Sequence, residues 1–106
     1  MITASFRTKN GSFCGFTVKG HSGYSEQGSD IICAAVSSMV NLTVRLLQIE
    51  KTDFSFSASP EIPQTVLDLN SVTDPAHNAL NGLYCELCEL AAEYKGFVKT
   101  KKQEIK

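Results

Sequence analysis

The sequence predicts an α+β fold, one domain over residues 1–106 with two helices packed on a single mixed or antiparallel β-sheet, in the order β-β-α-β-β-α-β. Three observations predict it. The chain begins with two alternating runs, ITASFRT and SFCGFTVKG, joined through Lys9-Asn10-Gly11. From Asp30 the apolar spacing changes from two residues to 3.6, and it returns to two at Thr52. A second stripe at helical spacing follows Asp74-Pro75 and gives way to GFVKTKK.

Each element has its own signal. Ile2, Ala4 and Phe6 alternate with polar residues, and Asn-Gly between two strand-like runs is a hairpin turn, so strands fall at about 2–8 and 13–19. Ile32, Val36, Met39, Val40, Leu46 and Leu47 lie near one side of a helix over 31–50. Asp30 is its N-cap, since a carboxylate can accept from the unpaired N–H groups of a first turn. TDFSFSAS alternates Phe54 and Phe56 as a half-buried strand does, Pro60 and Pro63 break the chain, and TVLDLNSV forms the next strand with the facing of Val66 open. Proline is tolerated in a first turn, so Asp74-Pro75 starts a helix over 76–95, with Leu80, Leu83, Tyr84, Leu87, Ala91 and Tyr94 as its apolar stripe and Gly96 as its stop. The last strand ends in a lysine-rich tail.

Composition narrows the function classes. The chain is 42% hydrophobic and 20% charged, ordinary for a globular domain of 106 residues that buries one core without disulfides or metal. A net charge of −1 provides no global field for nucleic acid or a membrane surface. No unbroken apolar run approaches the ~20 residues of a membrane span. MITASFRTKN lacks an apolar signal core, so a cytoplasmic location is expected. There Cys14, Cys33, Cys85 and Cys88 are thiols, and the default for each is a small buried apolar residue.

Residues 20–36, GHSGYSEQGSDIICAAV, hold the chemistry. His21 ends a strand and Cys33 lies in the first turn of a helix. The Gly- and Ser-rich loop between them, with Gly23 and Gly28, can fold back and bring the two side chains together. A free thiol near pKa 8.5 is only about 3% ionised at pH 7. A helix N-terminus and an adjacent imidazolium both favour the thiolate, and histidine can return the proton to a leaving amine. Helix-start N–H groups can also hold an oxyanion. Against this, the charge of Asp30 opposes the thiolate if it faces the sulfur; it could instead cap the helix or orient His21. Spacing alone leaves a Cys/His site and a buried structural cysteine both open. A phosphate loop is disfavoured, because Gly20, Gly23 and Gly28 do not form GxGxxG and no Gly-Lys-Ser/Thr follows.

Gly20-His21-Ser22-Gly23-Tyr24 and Gly28-Ser29-Asp30-Ile31-Ile32-Cys33-Ala34-Ala35-Val36-Ser37 resemble the signature of the ribosomal-processing cysteine proteases. The likeness extends across the whole chain in its order of strands and helices. It implies a cysteine endopeptidase that removes the N-terminal extension of a large-subunit ribosomal protein, the one numbered twenty-seven, after a hydrophobic stretch with paired phenylalanines. It places the family's nucleophile on Cys33 and its general base on His21, with Asp30 and Ser37 in supporting roles and a mobile loop over about 22–29. It implies a homodimer, a ribosomal protein precursor as peptide substrate, and no metal or organic cofactor. Position 22 is Ser where alanine is frequent in the family.

The remaining candidates read as structural. Cys85-Glu-Leu-Cys88 sits mid-helix, whereas a redox CxxC opens a helix, and a zinc site needs about four ligands. His77 reads as a solvated first-turn residue. The tail, with Lys95, Lys99, Lys101, Lys102 and Lys106, reads as a solvated edge strand rather than an RNA-binding arm. The alternative from a different class is a non-enzymatic ribosome-associated module that binds protein or RNA through that tail.

Overall fold

The alternation at the start of the chain builds an antiparallel hairpin of β1 (Ile2–Lys9) and β2 (Ser12–Lys19). In the computed structural model, which describes residues 1–26, 30–59 and 61–105, Asn10 and Gly11 form the turn with φ of 53° and 80°. Positive φ at both central residues matches the turn twist to the strand twist, and Asn-Gly accommodates it. The register shifts between Arg7 and Thr8, so that Cys14 is the extra residue of a bulge on β2.

The other elements are α1 (Ile31–Ile49), β3 (Phe54–Ser59), β4 (Gln64–Leu69), α2 (Asp74–Glu93) and β5 (Val98–Glu104). The sheet runs β3-β4-β2-β1-β5 and is mixed, because β5 pairs parallel to β1 while the other neighbours are antiparallel. Thr73 caps α2 by accepting from the Ala76 N–H, with Pro75 in the first turn where its missing N–H costs nothing.

Both helices cover one face of the sheet. Ile2, Ala4 and Phe6 of β1 and Phe16 of β2 point into it, against Ile32, Val36, Val40 and Leu47 of α1 and Leu80 and Leu87 of α2. At its centre the Phe6 ring meets those of Phe13, Phe16 and Tyr84 at 5.7, 5.5 and 5.2 Å between centroids, edge-on to Phe13 and Tyr84.

The structure corrects the predicted face of α1. Its buried seam runs Ile32, Val36, Val40, Thr43, Leu47, and Leu46 is 41% exposed. Leu46 precedes Leu47 by one residue and so lies about 100° around the helix from the seam. Thr43 can be buried because its hydroxyl donates to the Met39 carbonyl at 2.9 Å. By length and composition α1 would also suffice to cross a membrane, which a search for an unbroken apolar run overlooks. Here its seam is packed in the core. Phe56, expected in a half-buried strand, is exposed because β3 is the sheet edge. Val66 is half-buried, and its neighbour Leu67 is fully buried.

Among the described residues the opposite face of the sheet carries no helix. There Arg7 crosses Gly15 to donate to Asp68 Oδ1 at 3.0 Å, the Leu67 carbonyl at 3.2 Å and Thr17 Oγ1 at 2.9 Å. A Cβ on Gly15 would sit 2.7 Å from the Leu67 carbonyl oxygen and 2.9 Å from the Arg7 guanidinium. The backbone oxygen belongs to a paired strand and cannot withdraw freely. Gly15→Ala should therefore destabilise the protein by about 1–3 kcal/mol, the usual cost of overpacking, seen as a lower urea midpoint with an unchanged slope.

Candidate active site

The chain leaves β2 through a position that tolerates only glycine. Gly20 has φ +97°, and a Cβ there would run into the Met1 carbonyl oxygen. Its N–H donates to the Pro63 carbonyl at 2.8 Å, tying the strand exit to the β3–β4 connection. His21 follows, exposed, and Cys33 lies half-buried in the first turn of α1. Both line one cleft of about 840 Å³, together with Gly23, Asp30 and Ser37. Ile2, Val18, Ala34, Val36, Ala58 and Pro63 provide its apolar walls. Ser37 sits one turn beyond Cys33, on the same face of the helix. Gly28 lies outside the described residues.

Asp30 is buried and works as a junction. Its Oδ1 accepts from the Ile32 and Cys33 N–H groups at 3.0 Å each, and its Oδ2 accepts from the Ser22 hydroxyl. These bonds outweigh burial and hold its carboxyl near 2 against an ordinary 3.8, the Ser22 hydroxyl first among the causes, with the Cys33 and Ser25 N–H groups adding to it. Of the two roles open to it, Asp30 takes the cap. The cap also engages helix-start amides that could otherwise receive an oxyanion. The Ile32 and Cys33 N–H groups are bound to Asp30 Oδ1, and that of Ala34 donates to the Asp30 carbonyl at 3.1 Å.

Ser22, which the sequence marks only as standing where alanine is frequent in the family, is a junction in this arrangement. It is only 3% exposed. Its Oγ accepts from the Tyr24 N–H at 3.1 Å and from the Cys33 thiol at 3.7 Å, while its own proton goes to Asp30. A serine two residues before a backbone N–H it can bind was the available signal. The Tyr24 ring then packs edge-on against Tyr94 and Phe97, at 5.7 and 5.3 Å, fixing this part of the loop to the end of α2 and the approach to β5.

The other candidates lie elsewhere. His77 stacks on Phe13 and its Nδ1 accepts from the Phe13 N–H at 3.0 Å. Phe13 and Gly20 bracket β2, seven residues apart and so about 23 Å along the strand, which puts His77 at the opposite end of the sheet from His21. Cys88 meets Thr100 Oγ1 at 3.5 Å, and Cys85 is exposed and donates to Asn81 Oδ1 at 3.7 Å, so the CxxC thiols have separate partners. Exposure of Cys85 departs from the default of a buried thiol. Cys14 is half-buried, with its thiol pushed up by burial and eased by the Arg7 cation. Most of the lysine-rich tail is strand β5 at the sheet edge, where Lys102 Nζ lies 5.4 Å from the Tyr84 ring centroid and Glu104 binds Thr8 and the Asn10 N–H. Among the described residues no group of His, Cys, Asp and Glu is assembled to hold a metal ion.

A thiol in a helix's first turn and an imidazole at the rim of the same apolar-walled cleft describe a small cysteine-protease fold. The chain belongs to the cysteine protease Prp family, whose pattern matches residues 1–99, and it is a cysteine protease. No curated protein sequence matches it. Its fold is shared with the essential ribosomal processing protease Prp of S. aureus in complex with a covalently linked product peptide, at TM-score 0.91 and 19% identity over 97% of this chain and 100% of that one. The S. aureus protease in complex with a substrate peptide superposes at TM-score 0.81 and 17% identity, over 97% of this chain and 100% of that one. SMU.848 of Streptococcus mutans matches at TM-score 0.85 and 25% identity, over 99% of this chain and 96% of that one.

Two outcomes follow from this geometry. A carboxyl depressed in the folded state stabilises the protein fully above its ordinary value and loses that contribution as pH falls through its folded value. Asp30→Ala should therefore lower the melting temperature at pH 7 and flatten its fall between about pH 4 and pH 2, as followed by circular dichroism. Gly20→Ala should cost about 1–3 kcal/mol from positive φ and steric overlap, and should lower peptide cleavage more than the folded fraction accounts for, because it moves His21.

Proposed function

We propose that this chain removes the N-terminal extension of large-subunit ribosomal protein twenty-seven, cutting after a hydrophobic stretch with paired phenylalanines. The observation that carries the reading is the shared cleft, with Cys33 and His21 opening onto apolar walls formed by α1, the end of β2 and the β3–β4 hairpin. Such walls suit an extended hydrophobic peptide. The family and the peptide-bound S. aureus protease support the substrate class.

In this reading His21 takes the Cys33 proton, and the sulfur attacks the scissile carbonyl to form a tetrahedral intermediate. Its oxyanion is held by donors other than the amides of Ile32, Cys33 and Ala34, which Asp30 occupies. Collapse releases the amine, which takes its proton from His21. His21 then activates water, the thioester is hydrolysed, and the thiol is restored. Asp30 sets where the helix starts and so where the sulfur sits, and Ser37 borders the cleft one turn further on.

The protein acts in the cytoplasm and as a homodimer in this proposal. Leu42, Leu46 and Ile49, spaced along one exposed face of α1, support the second copy. Sedimentation should give twice the 11.5 kDa chain mass, and Leu46→Glu should return the monomer.

The decisive test is a peptide containing Phe-Phe-Ala, with products read by mass. The protein should release two fragments cut beside the phenylalanines. Cys33→Ser should bind the peptide without cutting it, and His21→Ala should cut it at least about 100-fold more slowly. Full-rate cleavage by Cys33→Ser would overturn the reading.

A further inference from the structure

We propose that the sheet face turned away from both helices binds the phosphodiester backbone of double-helical RNA through Lys19, Lys99 and Lys101. Alternation decides which side chains this face carries. Ile2, Ala4, Phe6, Val18 and Val98 point into the core, so Thr3, Ser5, Arg7, Lys19, Lys99 and Lys101 point away from it. Register then sets them in rows. Lys19 and Lys99 flank Thr3, and in the next row Thr17 and Lys101 flank Ser5. Neighbouring strands lie about 4.8 Å apart, and alternate residues about 7 Å apart along a strand, so the three lysine Cα atoms form a triangle with sides of about 7–12 Å. No linear run contains this patch, since strand pairing brings Lys19 to the tail lysines.

The net charge of −1 is the sum of an uneven distribution. All three lysines are exposed, and among the described residues none of them is in a salt bridge. The carboxylates nearest this face are engaged or set apart. Asp68 is held by Arg7 at 3.0 Å, Asp53 accepts from the Asn70 amide beside β3, two strands from Lys19, and Glu61 lies in the β3–β4 connection, outside the strands. Thr17 Oγ1 accepts from Arg7 at 2.9 Å, which leaves its proton to donate, and Ser5 pairs with it across the hairpin. Lysine cations among hydroxyl donors fit the phosphate oxygens and 2′-hydroxyls of an RNA helix. None of these outward side chains is aromatic, so the face offers no platform for an unstacked base, which favours a double helix over a single strand. The patch ends at the cleft, because Gln64, the register partner of Lys19, lines it and Gly20 and His21 follow Lys19. An enzyme held by this face has its cleft beside the RNA on which a ribosomal protein docks. That consequence rests on the function proposed above, whereas the binding itself does not.

The experiment is fluorescence anisotropy of a labelled RNA hairpin with a stem of about 16 base pairs, titrated with the full chain at several salt concentrations. Three neutralised phosphates give a log–log salt slope near about −2.7 on the duplex coefficient, a loss of about 40-fold in affinity between 50 and 200 mM salt. Lys19→Gln, Lys99→Gln and Lys101→Gln should each take about 0.9 off that slope, and the triple variant should lose the salt-dependent binding. Lys51→Gln, beyond the far end of α1, should leave the slope unchanged. A DNA duplex of the same sequence, which lacks the 2′-hydroxyls, should bind about fivefold more weakly, the equivalent of one hydrogen bond. No binding to the hairpin at 50 mM salt, a triple variant with the wild-type slope, or equal affinity for the DNA duplex overturns the proposal. So does binding to phosphatidylserine–phosphatidylcholine vesicles without binding to the hairpin. Cleavage of the Phe-Phe-Ala peptide by Lys99→Gln/Lys101→Gln should proceed at the wild-type rate. A protein that cuts the peptide but ignores the hairpin refutes only the RNA-binding face, whereas one that binds the hairpin but leaves the peptide whole refutes only the proposed cleavage.

Discussion

The functional end of this protein depends on one carboxylate. Asp30 begins α1 by satisfying two N–H groups that would otherwise lack partners, and the same side chain reaches back to Ser22 in the preceding loop. Helix start, loop and sulfur are therefore set by a single group. A cap of alanine or glycine would leave the first turn to fray and the loop with one fewer attachment. Tyr24 gives the second attachment, against Tyr94 and Phe97, so the described part of the loop is fastened to both helical elements. His21 needs no such fastening, because Gly20 fixes where the chain emerges from β2.

Much of this was legible in the sequence because local rules and tertiary packing agree there. Asn10-Gly11 specifies its turn by backbone conformation alone, and the structure adopts it. The changes of apolar period at Asp30 and after Asp74 mark both helices to within a residue or two. The order of elements then follows, whereas spacing alone left open whether His21 and Cys33 meet, and only the family resemblance drew His21, Cys33, Asp30 and Ser37 together; all four line one cleft. The parallel pairing of β5 with β1 was open, since a long connection through a helix permits either direction and only the packing of α2 decides.

Other features were hidden for physical reasons. Leu46 belongs to the apolar composition of α1 but not to its seam, and composition does not say how far around a helix the core extends. Phe56 alternates correctly yet sits on an edge strand, and edge position is a property of the whole sheet. Ser22 could not be recognised as a buried three-way junction, because its partners Asp30 and Cys33 are eight and eleven residues away across a loop. Nor could the sequence show that the cap would use up the amides expected to face the substrate. Capping and oxyanion binding draw on the same few donors, and only coordinates reveal which has them.

The parallel alignment of β5 with β1 places the first and last described residues at opposite poles. Met1 lies against Gly20 at the mouth of the cleft, whereas Glu104 reaches the turn at Asn10. A purification tag or fusion partner joined ahead of Met1 would crowd the peptide's approach, and one joined behind the last strand would hang clear of it. For anyone attaching a fluorophore, bead or second enzyme, the carboxyl end is the side to use.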